Sequence, residues 1–250
     1  MPGSTATTSS WFRRFHPADT APARLVLFPH AGGTATYFFD WAAELSPYAD
    51  VLAVQYPGRQ NRYHEPVVDS VAELADDIHR ALLPWADRPL TLFGHSMGAA
   101  VAFEVARRFA AGGGPAPVRL FVSGSRAPSR PREEAVHKLS DEELLGRVAA
   151  LGGTDQRVLD DPELRALVLP SLRADHAAIE TYRCGPDAVV PQPITALTGD
   201  ADPRASLEEV QDWAGHTTGG FDMRVFPGGH FYLAEQRRAV LDVLVEHLEG

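Results

Sequence analysis

The run Leu90-Thr91-Leu92-Phe93-Gly94-His95-Ser96-Met97-Gly98, with the small and apolar stretch Ala99–Ala106 behind it, narrows what this chain can fold into more than any other feature. It reads as a buried strand, a G-x-S-x-G turn and a helix. In that order the pattern is a nucleophile elbow, a turn that presents a serine above a parallel sheet. The turn is so tight that a Cβ on either flank would meet neighbouring backbone, which is why glycine stands at 94 and 98. An ordinary glycine loop would also satisfy G-x-S-x-G. The strand before it and the helix after it favour the elbow.

The rest of the chain supplies the sheet that such an elbow needs. Apolar runs without alternation recur at Leu25–Phe28, Val51–Tyr56, Leu90–Phe93, Leu120–Ser123, Ile194–Leu197 and Met223–Phe226. Strands buried on both faces of a mainly parallel sheet have this character. Helix starts lie between them: Ser70 with Glu73, Ser140 with Glu143 and Ser206 with Glu209 have capping-box spacing, and Asp161 precedes a proline at a first helical position. Alternating strands and helices predict an α/β fold, with residues 1–250 as one domain. The interval 126–191 breaks the rhythm. It holds helical patterns at Asp141–Leu151 and Pro162–Tyr182 and no clear strand, so it reads as a helical lid inserted into the domain.

Charge and cysteine usage exclude several functions. The formal charge of −10 argues against a nucleic-acid partner, since phosphate binding needs a basic field. Of the 23 cationic side chains only Lys138 is lysine, so any basic patch must be built from arginine. One cysteine, Cys184, allows no internal disulfide, and no Cys/His spacing suggests zinc. No cofactor or metal is expected. Without an apolar leader or a membrane-length segment, the expectation is a cytoplasmic protein that does not contact membrane.

A serine hydroxyl needs a histidine to take its proton and a carboxylate to fix that histidine's tautomer. On an elbow fold these follow in the order serine, acid, histidine. His16, His30, His64 and His79 precede Ser96, His137 and His176 fall in the insert, and His247 lies in a C-terminal helix, where a solvated side chain is expected. Of His216 and His230, only His230 follows the last strand in a glycine-rich loop, so it is the predicted base. His95 should diverge from Ser96 and play a structural part. After Ile194–Leu197 the loop offers Asp200 and Asp202; Asp202 is the predicted acid, and Asp200 should brace its own turn. The oxyanion donors are expected to be the Met97 N–H, at the start of the helix, and the Ala31 N–H, in the loop Pro29-His30-Ala31-Gly32-Gly33. Cys184 has no activating neighbours in sequence and reads as inert.

With these motifs in order, the chain resembles the type II thioesterases that serve polyketide and nonribosomal peptide synthetases, members of the α/β-hydrolase superfamily. The resemblance covers nearly the whole chain. It is carried by Trp11-Phe12-Arg13-Arg14-Phe15, Phe28–Gly33, Gln55-Tyr56-Pro57-Gly58-Arg59, Arg62, Glu65-Pro66, Gly94–Gly98, Gly199–Pro203 and Gly229-His230-Phe231. It implies an editing hydrolase that removes acyl groups from the phosphopantetheine arm of acyl or peptidyl carrier proteins. Carrier proteins are usually acidic, as is this chain, so docking would need a local basic patch. Arg126, Arg130 and Arg132, at the start of the insert, are candidates, although such a run is equally a solvated hinge. Gln55 and Arg59 could line the same rim or merely shape a turn. Carboxylesterases and acyltransferases would use the same parts, and a non-catalytic module that binds a synthase is a further alternative.

Overall fold

The computed structural model describes residues 10–112, 115–131, 133–153, 160–185 and 187–249. Seven strands among them form one sheet: β1 (Phe12–Arg13), β2 (Arg24–Phe28), β3 (Asp50–Val54), β4 (Leu90–His95), β5 (Arg119–Ser123), β6 (Ile194–Gly199) and β7 (Phe221–Phe226). Their order is β1-β3-β2-β4-β5-β6-β7, with β1 antiparallel to β3 and every other pair parallel. This is the mainly parallel α/β-hydrolase sheet.

The two-sided burial inferred from the unbroken apolar runs comes from the pleat. Val26, Phe28, Leu92, Val54 and Val122 face one side, where they pack with α2 (Val71–Leu82) and α3 (Met97–Ala111). Leu25, Leu27, Phe93, Val51 and Phe121 face the other, against α1 (Phe39–Leu45) and the C-terminal helix Arg237–Glu249. Each such side chain, once fully buried, contributes about 1.5–3 kcal/mol of transfer free energy.

Two details depart from the sequence reading. The third strand ends at Val54 rather than Tyr56, although the Gln55 N–H still bonds the Trp11 carbonyl at 2.8 Å. That contact continues the pairing with β1, a two-residue strand too short to leave an apolar run.

Between β5 and β6 the chain forms a short 3-10 turn (Val136–Lys138), α4 (Asp141–Ala149) and α5 (Pro162–Thr181). Its only strand-like feature among the described residues is an isolated bridge from Val190 to Thr217. Ser140 caps α4 and Ser206 caps α6 (Leu207–Gln211), each in a complete capping box. Ser70 accepts the Glu73 N–H, and Asp161 accepts from Glu163 and Leu164. The helices after β7 are α7 (Tyr232–Glu235) and α8 (Arg237–Glu249). No helix among the described residues is long and apolar enough to cross a membrane, and no group of three or more His, Cys, Asp or Glu there could hold a metal.

Candidate active site

The site forms where the sheet order reverses. From β2 the chain goes to β3 on one side and to β4 on the other, so the loops leaving β2 and β4 part at their carboxyl ends and open a crevice. Ser96 follows β4 there, with φ +54° and ψ −118°. A non-glycine residue at positive φ is strained and persists only where its surroundings hold it. Here the Ser96 N–H is bound to the Ser123 carbonyl at 2.8 Å.

Both elbow glycines are sterically required. A Cβ at Gly94 would lie 2.1 Å from the Gly98 carbonyl oxygen, and one at Gly98 would lie 2.2 Å from the Phe28 oxygen and 2.6 Å from the Pro29 oxygen. All of these neighbours are backbone. The second approach also brings the β2 loop, with Ala31, against the start of α3, where Met97 is the first helical residue and its N–H has no partner within the helix. Gly98→Ala is therefore expected to cost about 2–4 kcal/mol. A urea-unfolding midpoint unchanged from the native protein would contradict this packing.

Three loops bring together the serine, the histidine and the acid. Gly199 ends β6, and a Cβ on it would sit 2.3 Å from the Gly228 carbonyl oxygen, so the β6 and β7 loops run in contact. They are zipped by Asp200 N–H to Phe226 O and Ala201 N–H to Gly228 O, both 2.9 Å. Across this junction His230 Nδ1 lies 3.1 and 2.9 Å from the two Asp202 oxygens, and His230 Nε2 lies 3.0 Å from Ser96 Oγ. Asp202 and His230 are both buried. Asp202 Oδ1 also accepts the Arg204 N–H at 2.7 Å, which holds the carboxylate in place. An imidazole held this way by a carboxylate can accept the hydroxyl proton of Ser96, making its oxygen a nucleophile.

Asp200, in the same loop as Asp202, stands outside this chain of hydrogen bonds. Its Oδ1 accepts the Gly228 N–H at 3.0 Å, so it braces the loop that carries His230 and not its own turn. His95 diverges from Ser96: its Nδ1 meets Ser123 Oγ at 3.0 Å, which in turn meets the Tyr232 hydroxyl at 2.8 Å. His30 packs edge-on to Tyr37 and Phe231, and burial, with His230 and Arg59 nearby, pushes its pKa down to about 3. It is neutral at pH 7. His216 is buried between the Ala188 carbonyl and Ser129. His247, expected in solvent, is half-buried and bonded to Thr91 and Arg119. Burial raises the pKa of the Cys184 thiol, which disfavours thiolate.

Ser96 and His230 line a pocket open to solvent, whose other walls include Arg126, Ala127, Ile179, Tyr182 and Arg204. A serine bonded to a histidine base at the wall of a solvent-open pocket is equipped for acyl transfer. Residues 23–249 match the family model described as a thioesterase domain. The chain belongs to the thioesterase family. Thioesterase PikA5 of Streptomyces venezuelae is 49% identical over 239 residues, covering 95% of this chain and 85% of that one. The solved structure of the type II thioesterase BorB, from the borrelidin biosynthetic cluster, has 47% identity and a TM-score of 0.89, covering 95% of this chain and 97% of its own. YbtT, a type II thioesterase from the yersiniabactin NRPS/PKS pathway, has 33% identity and a TM-score of 0.86, covering 96% and 98%. The protein is an enzyme of thioester hydrolysis, and its relatives include the type II thioesterases of the borrelidin cluster and of an NRPS/PKS pathway.

Gln55 and Arg59, for which the sequence leaves open a place on the rim of this thioesterase, lie inside it. Gln55 is fully buried, its Oε1 accepting the Ala35 N–H at 3.2 Å. Arg59 is also buried and forms a two-pronged ion pair with Asp175 of α5. Both follow β3 at the right end of the sheet, but Gln55 spends its side-chain oxygen on Ala35, and Arg59 its guanidinium on Asp175 and the Gly33 carbonyl. Asp175 itself had no sequence signal, being 116 residues from Arg59. Arg126 and Arg130 do line the pocket. Arg130 is paired with Asp212 and Glu208, which offset its charge. Arg132 lies outside the described residues.

Proposed function

We propose that this thioesterase clears acyl groups from the phosphopantetheine arm of acyl or peptidyl carrier proteins, in an editing role, through a Ser96–His230–Asp202 triad. The observation that carries the reading is the unbroken chain from Asp202 through His230 to Ser96 Oγ at the mouth of a solvent-open pocket. Ser96 Oγ attacks the thioester carbonyl carbon while its proton passes to His230 Nε2. The Ala31 and Met97 N–H groups hold the negative oxygen of the tetrahedral intermediate. Collapse breaks the carbon–sulfur bond, and the departing sulfur takes the proton from His230. Water then attacks the acyl-serine by the same route, releasing the acid and restoring Ser96.

The insert over 126–191 serves as a lid, because Ile179 of α5 and Tyr182, just past its end, wall the pocket beside Ser96. Arg126 and Arg204 stand on the same wall, Arg204 in a two-pronged ion pair with Glu134. No cofactor is needed, since the substrate carries the phosphopantetheine.

The test compares hydrolysis of one short acyl group on a carrier protein, on free pantetheine and on a p-nitrophenyl oxygen ester. A kcat/KM at least roughly tenfold higher for the carrier substrate is expected, given what a protein docking surface adds to binding. Preference for the oxygen ester would indicate a carboxylesterase, and capture of the acyl group by an added alcohol or amine in place of water an acyltransferase.

A further inference from the structure

Asp175 stands on α5, in the insert, yet the groups it holds belong to the loop after β2. Its Oδ2 accepts the Gly32 N–H at 2.7 Å and Arg59 Nη1 at 2.6 Å, while its Oδ1 accepts Arg59 Nη2 at 2.8 Å. Arg59 Nη1 also reaches the Gly33 carbonyl at 3.2 Å. The two side chains are 7% and 1% exposed, so solvent does not compete for these bonds.

The loop cannot hold this shape by its own side chains. Ala31-Gly32-Gly33 offers one methyl group, and Gly32 sits at φ +74°, a conformation open to glycine but not forced on it. Its ends are anchored from the β3 side: the Tyr56 hydroxyl donates to the Pro29 carbonyl at 3.2 Å, and Gln55 accepts from Ala35. Its middle is anchored by Asp175. The packing agrees, because Leu172, one turn earlier on α5, lies so close that a Cβ on Gly32 would come within 2.7 Å of its Cδ1.

Ala31 Cα joins two peptide units. One carries the Ala31 N–H and the next carries the Gly32 N–H, so fixing the second restrains the direction of the first. We propose that Asp175, held in place by Arg59, is a positioning residue for the reaction: it aims the Ala31 N–H at the oxygen of the tetrahedral intermediate and makes that donor depend on the seating of α5. The proposal rests on Ala31 being an oxyanion donor. It gives the insert a part in catalysis beyond covering the pocket, since displacing α5 would release the loop.

The test uses Asp175→Asn and the double variant Arg59→Met with Asp175→Leu. The double variant removes both buried charges together, so neither is left without a partner, and it decides the matter if the single variant does not fold. Three quantities are measured: kcat and KM on an acyl-pantetheine thioester and on an oxygen ester, and the inhibition constant of an acyl trifluoromethyl ketone. Ser96 Oγ adds to that ketone, its proton moves to His230, and the former carbonyl oxygen keeps the charge, as in the intermediate. The expected result is a fall in kcat of roughly 10–100-fold, KM within about threefold, and a ketone inhibition constant raised by the same factor as kcat falls.

A residue with only a packing role would not make ketone affinity follow kcat. Folded variants with native kcat, or with raised KM and unchanged ketone affinity, overturn the proposal. Native protein that is inert toward thioesters but cleaves the oxygen ester would defeat the thioesterase reading alone, and the ester kcat and ketone affinity would still decide the role of Asp175.

Discussion

Asp202→Asn is expected to lower kcat by roughly 10³–10⁴-fold with the fold intact, while Asp200→Asn leaves it within about threefold. Both aspartates sit in one loop, but they face different donors. Asp202 accepts from His230 Nδ1 with both oxygens, which keeps the ring proton on Nδ1 and leaves Nε2 free to take the proton of Ser96. An asparagine there can turn its amide N–H toward Nδ1, which moves the ring proton to Nε2, where it blocks proton transfer from the serine. The cost is chemical and spares the packing, because the two side chains have the same shape. At position 200 the acceptor serves the Gly228 N–H, and an asparagine oxygen can do the same. Steady-state kinetics of both variants, with circular dichroism to verify folding, check the assignment; a large loss at 200 and a small one at 202 would transfer the acid role to Asp200.

The fold was legible because its strongest determinants are local. An apolar strand, glycines at 94 and 98 and a helix of small residues together specify the elbow, and the unbroken runs at β2, β4 and β5 have the length and composition of strands covered on both faces. The placement of Ser96, Asp202 and His230 in the loops after β4, β6 and β7 was readable from chain order, and the structure brings all three within hydrogen-bonding distance. What stayed hidden was depth. Position after a strand tells which end of the sheet a residue occupies, not whether its side chain turns outward, so it leaves the rim open to Gln55 and Arg59 although both are buried. The partner that draws Arg59 inward lies on a helix of the insert, and Gly32, held by the same carboxylate, is 143 residues from it. No periodicity or local motif encodes such a pairing. The strand β1 was missed for the opposite reason: two residues cannot establish a pattern.

Ser96→Ala is expected to abolish turnover, with a loss of roughly 10⁴–10⁶-fold in kcat, and to leave the fold and substrate affinity close to native. The backbone does not depend on the hydroxyl. Alanine meets the same strain at φ +54° as serine, and the N–H bond to the Ser123 carbonyl is retained. What disappears is the oxygen 3.0 Å from His230 Nε2, the only atom at that point able to form the acyl-enzyme in the proposed route. Intermediate stabilisation by the Met97 and Ala31 N–H groups would survive, so a trace of water-driven hydrolysis is expected and not a strict zero. Mass spectrometry of an acylated carrier protein, incubated with native enzyme and with the variant, reads this directly: native protein should remove the acyl mass and the variant should keep it. A fluorophosphonate probe should label native protein and not Ser96→Ala. Equal labelling of the two would put the nucleophile elsewhere, and the absence of both labelling and acyl release with native protein would favour a module that binds a synthase without catalysis.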